Sequence, residues 1–535
     1  MPIYEQDLQD RRYGTGGFAI DDKYLPSSFP SARWAYQSQK YLDYWNFFTG
    51  EVWNEIIPNK LDANRQPVLR YPLQINYIAT AAKKHNYVLW GEVPGGPETL
   101  CPVRIVPRTS DKSVPPTEEN KTLALELEQF INQVWSDNNG NVLKHEGGLI
   151  SQFLGGMVYK VSYSPDALDL EHEIKIEYVL PDFFLPVWET SNPDNLLEAF
   201  VVWRMPAREA ALRFGAQVSG EYGSPLYIEH WTKDEINITL NGKPITYQFD
   251  NGESITYDHA ENPYGFVPFV YIPNQRAGSY YGMSIVDDLK ELSREMNARL
   301  ADFGDAIREG AHRDIYLINT NQIKVREIPG AIRDVIDLGG TNPVNGESPD
   351  IKTVEPPKIS DNLFQYPEML RMQFGHDSGV PPVAEGDNQA SQRSALTLAF
   401  LMWPLTSVTR SKRVYWENGL VRFAKMIARV AMIKGIGGIT EAHLKKMNWS
   451  IDWPVMIPRD REQLVNEVIL ATQANLISPQ TAIERLGFAS DPNEEYERIQ
   501  EHMEWVSQLQ TAQDAGINGS ADEPQAETGL ESEKA

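Results

Sequence analysis

The sequence predicts an α+β protein. Three observations carry that reading: helical periodicity towards both ends, a shift to two-residue periodicity from about residue 155, and one long amphipathic run beginning near residue 285. The 535 residues, 41% hydrophobic and 10% aromatic, suffice for several packed cores.

The N-terminal part reads mainly as helix. Ser31 is placed to cap a helix over 32–49 that stops at Gly50, and Pro72 suits the first turn of a helix running to Trp90. Thr117, followed by Glu118 and Glu119, opens a third helix through the apolar Leu123, Leu125, Leu127, Phe130, Ile131 and Val134. From about Gly155 the period becomes two. Ile174, Ile176 and Tyr178 alternate with Glu173, Lys175 and Glu177; Ile236, Ile238 and Leu240 precede Asn241-Gly242 and then Ile245, Tyr247 and Phe249, a hairpin signature.

YYGMSIVDDLKELSREMNARLADFGDAIREGAHRD, residues 280–314, changes the regime. Ile285, Val286, Leu289, Leu292, Met296, Leu300, Phe303 and Ile307 share one helical stripe, and Asp287, Asp288, Glu291, Glu295, Asp302, Asp305 and Glu309 share another. Such a helix is roughly 27 residues, or about 40 Å, long, with Gly310 as its stop. The strand-like pieces DIYLI and IKVREIPGAIRDVIDLG and the turn-rich GGTNPVNGESPD follow. Ser360 is placed to cap a second helix from Asp361 to about His376, which Pro367 should interrupt or bend. After SGVPPVAEGDN a helix resumes over 389–434, kinked at Pro404 and closed by Gly435. It carries Arg393, Arg410, Lys412, Arg413, Arg422, Lys425, Arg429 and Lys434 against only Glu417. Short helices over about 461–509 and an acidic tail, 510–535, expected to be disordered, complete the chain.

Composition narrows the function classes. A formal charge of −25 argues against a protein that coats nucleic acid with a basic surface. With Cys101 alone, neither an intramolecular disulfide nor a cysteine zinc site can form. The start, MPIYEQDLQDRRYG, lacks a signal-peptide core and no apolar stretch approaches the roughly 20 residues that span a bilayer, so a soluble intracellular chain without membrane contact is expected. Phosphate-loop, nucleophile-elbow and HExxH motifs are missing, and Gly14-Thr15-Gly16-Gly17 lacks the third glycine and preceding strand of a dinucleotide fingerprint; no cofactor is expected.

Several features admit two readings. His172 between Glu171 and Glu173 is either a metal ligand or part of the solvent face of an alternating strand. Thirteen tryptophans and abundant carboxylates raise an acidic carbohydrate-active hydrolase as an alternative function, although no spacing singles out an acid and a base. The acidic stripe of residues 287–309 is the wet face of an amphipathic helix or, repeated around a ring, the wall of a channel that repels a passing polyanion. Arg422, Lys425 and Arg429 would touch DNA or pair with acidic neighbouring subunits.

The order of segments resembles a known family. ENPYGFVPFVYIPNQ, residues 261–275, followed by YYGMSIVDDLKELSREMNARLAD, resembles the passage from wing to first stem helix in portal proteins of tailed double-stranded DNA bacteriophages of the siphovirus type. SGVPPVAEG and SALTLAFLMWPLTSVTRSKRVYWENGL resemble that family's tunnel loop and long kinked helix, and RDREQLVNEVILATQANLISPQTAIERLGFASDPNEEYERI is similar to its crown helices. The shared order runs from about Glu177 to Ile499.

The resemblance implies a portal-type fold: a mixed α/β wing (1–279), a first stem helix (280–310), a small α/β clip (311–357), a second stem helix (358–377), a tunnel loop (378–388), a long kinked helix (389–434) and a helical crown (435–509). It also implies a structural, non-enzymatic homo-oligomer, a dodecameric ring at the portal vertex of the capsid in the virion, assembled in the host cytoplasm. Double-stranded DNA would pass through the channel during packaging and ejection. The terminase large subunit, head-tail connector or adaptor proteins, and major capsid and scaffolding proteins would be partners. On this resemblance Val383, Glu385, Asp387, Asn388, Gln389, Glu295, Asp302 and Glu309 are the candidate tunnel lining, and Arg326, Arg333, Asn342 and Asn345 the candidate docking residues of the clip. The loop has Glu385 and Asp387 but no Lys or Arg before Arg393, so it is expected to steer DNA rather than hold it, because several phosphate contacts sum to a large affinity. Another virion connector ring is the nearer alternative.

Overall fold

The computed structural model describes residues 24–51, 60–61, 67–68, 75–91, 103–108, 117–163, 173–214, 225–248, 254–311, 314–318, 324–326, 335–337, 350–354, 361–386, 395–456, 461–486 and 492–516. They fall into two compact units, Met1–Gly91 with Cys101–Met456, and Glu92–Leu100 with Ile457–Ala535.

In the first unit, helix α1 spans Ser31–Thr49 and ends on Gly50 at φ 87°, but its N-cap is Pro30. Ser31 is already helical, so it cannot adopt the extended backbone a side-chain cap requires. Helix α2 spans Tyr77–Trp90 and is capped by Asn76, whose Oδ1 accepts from the Ala79 N–H at 2.9 Å. This cap sets the start later than the proline signal suggested; Pro72 lies outside the described residues. Helix α3, Glu118–Asp137, has the expected Thr117 cap. Helix α4, Gly140–Leu154, follows after two residues.

The strands form separate antiparallel sheets. Strand β1 (Val103–Pro107) pairs with a strand near the end of this unit. Strands β2 (Gly156–Tyr163) and β3 (Ile174–Val179) pair with each other, while β4 (Phe184–Glu189), β5 (Asn192–Arg204), β6 (Leu226–Thr232) and β7 (Glu235–Leu240) form a meander. Along β5, Ala199 and Val201 face the main core, whereas Phe200 and Val202 meet Phe29 on the other side. Burial on both faces explains why this strand reads as a continuous apolar run rather than an alternation. Asn241 and Gly242 turn the chain with φ 49° and 74°, as the hairpin signature predicts. Lys243–Pro244 returns along β7, and Thr246–Gln248 then pairs with Ser254–Thr256. Helix α5, Ala207–Phe214, connects β5 to β6.

Strand β8, Phe269–Pro273, is buried throughout and adds to β2. Helix α6, Ile285–Ala311, has 27 residues, matching the expected length. Strands β9 (Asp314–Ile318) and β12 (Asp350–Val354) pair around β10 (Lys324–Arg326) and β11 (Val335–Asp337), themselves a pair. Helix α7, Asp361–Ser378, continues through Pro367 rather than stopping there. The expected kink at Pro404 is a break between helices: α8, Ala395–Leu401, ends, Met402 makes a turn, and α9, Trp403–Lys434, begins. Pro404 sits in the first turn of α9, where its missing N–H costs no helical hydrogen bond.

The main core sits between α9 and the β2–β8 sheet, with Trp416, Phe423 and Ile427 against Tyr159 and Tyr271. Gly419 is required there, because a Cβ would lie 2.5 Å from Ile272 Cγ1. Helix α10, Glu441–Lys445, leads into β13, Met447–Ile451, the partner of β1. A second core joins α1, α2, α4, α6 and α7 through Tyr44, Ala82, Phe153, Leu289 and Phe374.

The second unit contains α11 (Arg461–Gln473), α12 (Pro479–Leu486) and α13 (Pro492–Gly516). Ser478 Oγ accepts the Thr481 N–H at 3.2 Å, and Pro479 occupies the first helical position. Residues 510–516, expected in a disordered tail, are the last turns of α13; residues 517–535 lie outside the described ones.

Candidate functional site

The segment between α7 and α8 is anchored by α2. The Ser378 carbonyl at its root accepts from His85 Nε2 at 2.7 Å, and the Ala384 carbonyl accepts from Lys84 Nζ at 2.8 Å. Burial, reinforced by the charge of Lys412, lowers the His85 pKa to about 3, so the ring is neutral. Its one N–H must be on Nε2 to meet a carbonyl, which leaves Nδ1 buried without a hydrogen-bond partner. Val380 is buried between these anchors. Gly379 and Gly386 take φ 69° and 89°, and Gly386 donates to the Val383 carbonyl at the end of a single 3₁₀ turn, Pro382–Glu385. These glycines serve fixed turns.

A buried cation lies below this root. Lys412 Nζ of α9 donates to Gln152 Oε1 of α4 at 2.5 Å. Burial lowers its pKa to about 7 against the opposing pull of Asp288. The Asp288 carboxyl is itself raised, first by burial and then by Asp287 and Asp377. The adjacent Arg413 donates to the carbonyls of Leu89 and Pro454 at 2.9 and 2.8 Å. Arg422 and Arg276 converge on Asp194, which also accepts from Asn418 at 2.9 Å. Three of the cations that made the helix look basic are therefore structural ties within one chain.

The acidic stripe of α6 is likewise divided. Asp287 accepts from the Tyr44 hydroxyl at 2.6 Å and pairs with Lys40, and Asp305 is buried. Glu295 and Asp302 are brought together by Arg299, at 2.8 and 3.0 Å, and the Tyr366 hydroxyl of α7 donates to Glu295 at 3.1 Å. Those hydrogen bonds, Arg299 first, hold the Glu295 carboxyl below its ordinary range. The apolar stripe also parts company with its wheel: Ile285, Val286, Leu289 and Met296 are buried, but Ile307 is 57% exposed.

Among the other candidates, Val383 is half-buried on the 3₁₀ turn and Glu385 is exposed beside Arg371 at 3.7 Å. Asp387, Asn388, Gln389, Arg333, Asn342 and Asn345 lie outside the described residues, as does His172. Glu309 lies on α6 and Arg326 on β10, with side chains outside what is described. Sequence reasoning did not single out Lys84, His85, Gln152 or Tyr366; a lone histidine on an apolar helix face was the available signal. Among the described residues no group of three or more His, Cys, Asp or Glu is arranged to hold a metal ion, and no helix is long and apolar enough to cross a membrane.

The described residues thus set, in chain order, two long helices joined through a small β excursion, a turn-rich segment tethered at its root and a long helix buried in a mixed core. The family model of phage portal proteins, SPP1 Gp6-like, matches residues 110–508. The chain belongs to that family, and is a portal-vertex protein and a component of the virion. No curated protein matches it.

Proposed function

We propose that this portal protein assembles as a homo-oligomeric ring, dodecameric in the family's usual form, whose channel passes double-stranded DNA during packaging and ejection. The family match across 110–508 carries the proposal, and the order α6, β9–β12, α7, tethered turn and α9 supports it. In this reading α6 and α7 form the stem, 311–357 the clip, 378–388 the tunnel loop and 435–509 the crown. Val383, Glu385, Asp387, Asn388 and Gln389 face the channel from the loop, with Glu295, Asp302 and Glu309 on the stem. Arg326, Arg333, Asn342 and Asn345 belong to the docking surface for the terminase large subunit and the head-tail adaptor; capsid and scaffolding proteins surround the ring, which forms in the host cytoplasm.

The physical role is passive guidance, without a covalent step. Glu295 and Asp302 share Arg299, so this part of the stem presents compensated charge rather than a row of free cations. Such a surface gives DNA few phosphate contacts and thus little friction. Negative-stain microscopy with native mass measurement of the full chain tests the proposal. Closed rings with a central hole are expected; a stable monomer at all concentrations would overturn it.

A further inference from the structure

Helix α9 is buried on every side but one. Apart from Pro404 in the first turn, its exposed positions recur in steps of four and seven, which places them on one broad face that winds by about 120° along the helix. Three are large and apolar: Trp403, Val414 and Ile433, exposed by 55%, 66% and 40%. Three are cationic: Arg410, Lys425 and Arg429. Asn418 lies midway, turned to Asp194. The face extends for about 45 Å at 1.5 Å per residue; none of its exposed positions is a carboxylate and half-buried Glu417 lies at its edge, in a chain with 74 Asp and Glu against 49 Lys and Arg.

Beside its C-terminal half lies a cavity of about 420 Å³, between α9, the start of β5 and residues 265–269. Leu197, Phe266 and Met426 give it apolar walls, and Lys233, Lys425 and Arg429 give it cations. The one carboxylate among the described residues there, Asp194, is already engaged by Arg276, Asn418 and Arg422. Lys425 lies over the Trp449 ring and Arg429 over Phe266, at 6.0 and 4.6 Å, contacts that orient the cations yet leave N–H donors for an anion.

Exposed Trp and Arg, here beside aliphatic side chains, are residue types enriched at protein interfaces. Duplex DNA would use the cations but gain nothing from Trp403, Val414 and Ile433, and a rigid phosphate backbone does not fill a concavity with apolar walls. A second copy of this acidic chain does both. In a ring each contact joins two different surfaces, so a basic face can meet an acidic one without self-repulsion. Resting on the ring proposed above, we infer that the open face of α9 and the cavity beside it seat an acidic surface of the next copy, one that inserts an apolar side chain.

The test uses the full-length chain in two variants, Val414→Glu and the double change Lys425→Glu with Arg429→Glu, with Lys425→Arg as control. All altered positions are exposed, so circular dichroism of each variant should match the wild type. Mass photometry across a dilution series should show the ring-to-monomer midpoint rising by on the order of tenfold or more in both variants, because Val414→Glu puts a carboxylate against an acidic partner and the double change also removes two complementary contacts, and staying put in the control. Carbodiimide cross-linking of mixed light and isotopically heavy chains should join Lys425 to an Asp or Glu of the other isotope. Variants that assemble like the wild type, or only same-isotope cross-links, would overturn the inference. So would normal assembly with weakened binding of a duplex fragment, which would turn this face towards DNA. A wild-type chain that never forms rings would instead remove the ring reading, and this inference with it.

Discussion

Replacing Lys412 by Met tests the buried network beneath the loop root. Burial brings this lysine from 10.5 to about 7 in the folded chain. Between those values the unfolded chain binds a proton that the folded chain does not, so stability rises with pH, at up to about 1.4 kcal/mol per unit. Integrated from pH 7 to pH 9, the gain is about 2 kcal/mol; below pH 7 both states bind the proton and the dependence flattens. His85 is neutral throughout this window, and the carboxyl of Asp288 is raised from the acid side. Methionine fills similar volume without a charge. It leaves Gln152 Oε1 without its donor, a loss of about 1–3 kcal/mol that shifts the whole curve but not its slope. Urea unfolding followed by tryptophan fluorescence at fixed ionic strength should show the wild type gaining about 2 kcal/mol over the variant between pH 7 and pH 9. Parallel pH profiles would refute the assignment of Lys412 as a cation desolvated by its surroundings.

Two further outcomes follow from the packing. Lys84→Ala removes the donor to the Ala384 carbonyl, so hydrogen exchange at Ala384 and Gly386 should quicken by on the order of tenfold while ring size is unchanged; unaltered protection would mean that this tether does not hold the turn. Gly419→Ala places a methyl 2.5 Å from Ile272 Cγ1. It should destabilise by about 1–3 kcal/mol in urea melts despite alanine's better helix propensity, and equal or greater stability would contradict the close approach of α9 to β8.

Where a local rule acts alone, the sequence was readable. The helix α6 itself, the Thr117 cap and the Asn241-Gly242 turn depend on neighbours within a few residues, and each is present, although the apolar stripe of α6 is buried only as far as Met296. Helix α4 escaped notice because Gly147 and Gly148 lower its propensity, yet both are needed where Tyr159 and Trp90 press against it. Pro404 announced an interruption but not its form, since a proline in a first turn and one in a kinked interior look alike in sequence. The candidate site divides the same way. Arg299 bridges Glu295 and Asp302 across three and four residues, a spacing visible on a wheel. His85 meets Ser378 across 293 residues and Lys84 meets Ala384 across 300, which no periodicity encodes. Residue type also could not tell Lys412 and Arg413, committed to an amide and to backbone carbonyls inside the core, from Lys425 and Arg429 in solvent.

The pairing of β1 with β13 joins Val103–Pro107 to Met447–Ile451. During synthesis the first of these strands leaves the ribosome long before the second exists. At about 5–20 residues per second, the interval is roughly 17–70 seconds. Through that interval the strand's pairing edge and the core surfaces that await α9 have no covering. The nascent portal chain therefore carries this edge unpaired for most of its synthesis, and a chain cut before Met447 lacks the partner strand altogether. Its yield in the cell should depend on chaperone supply more than on the stability of the finished fold.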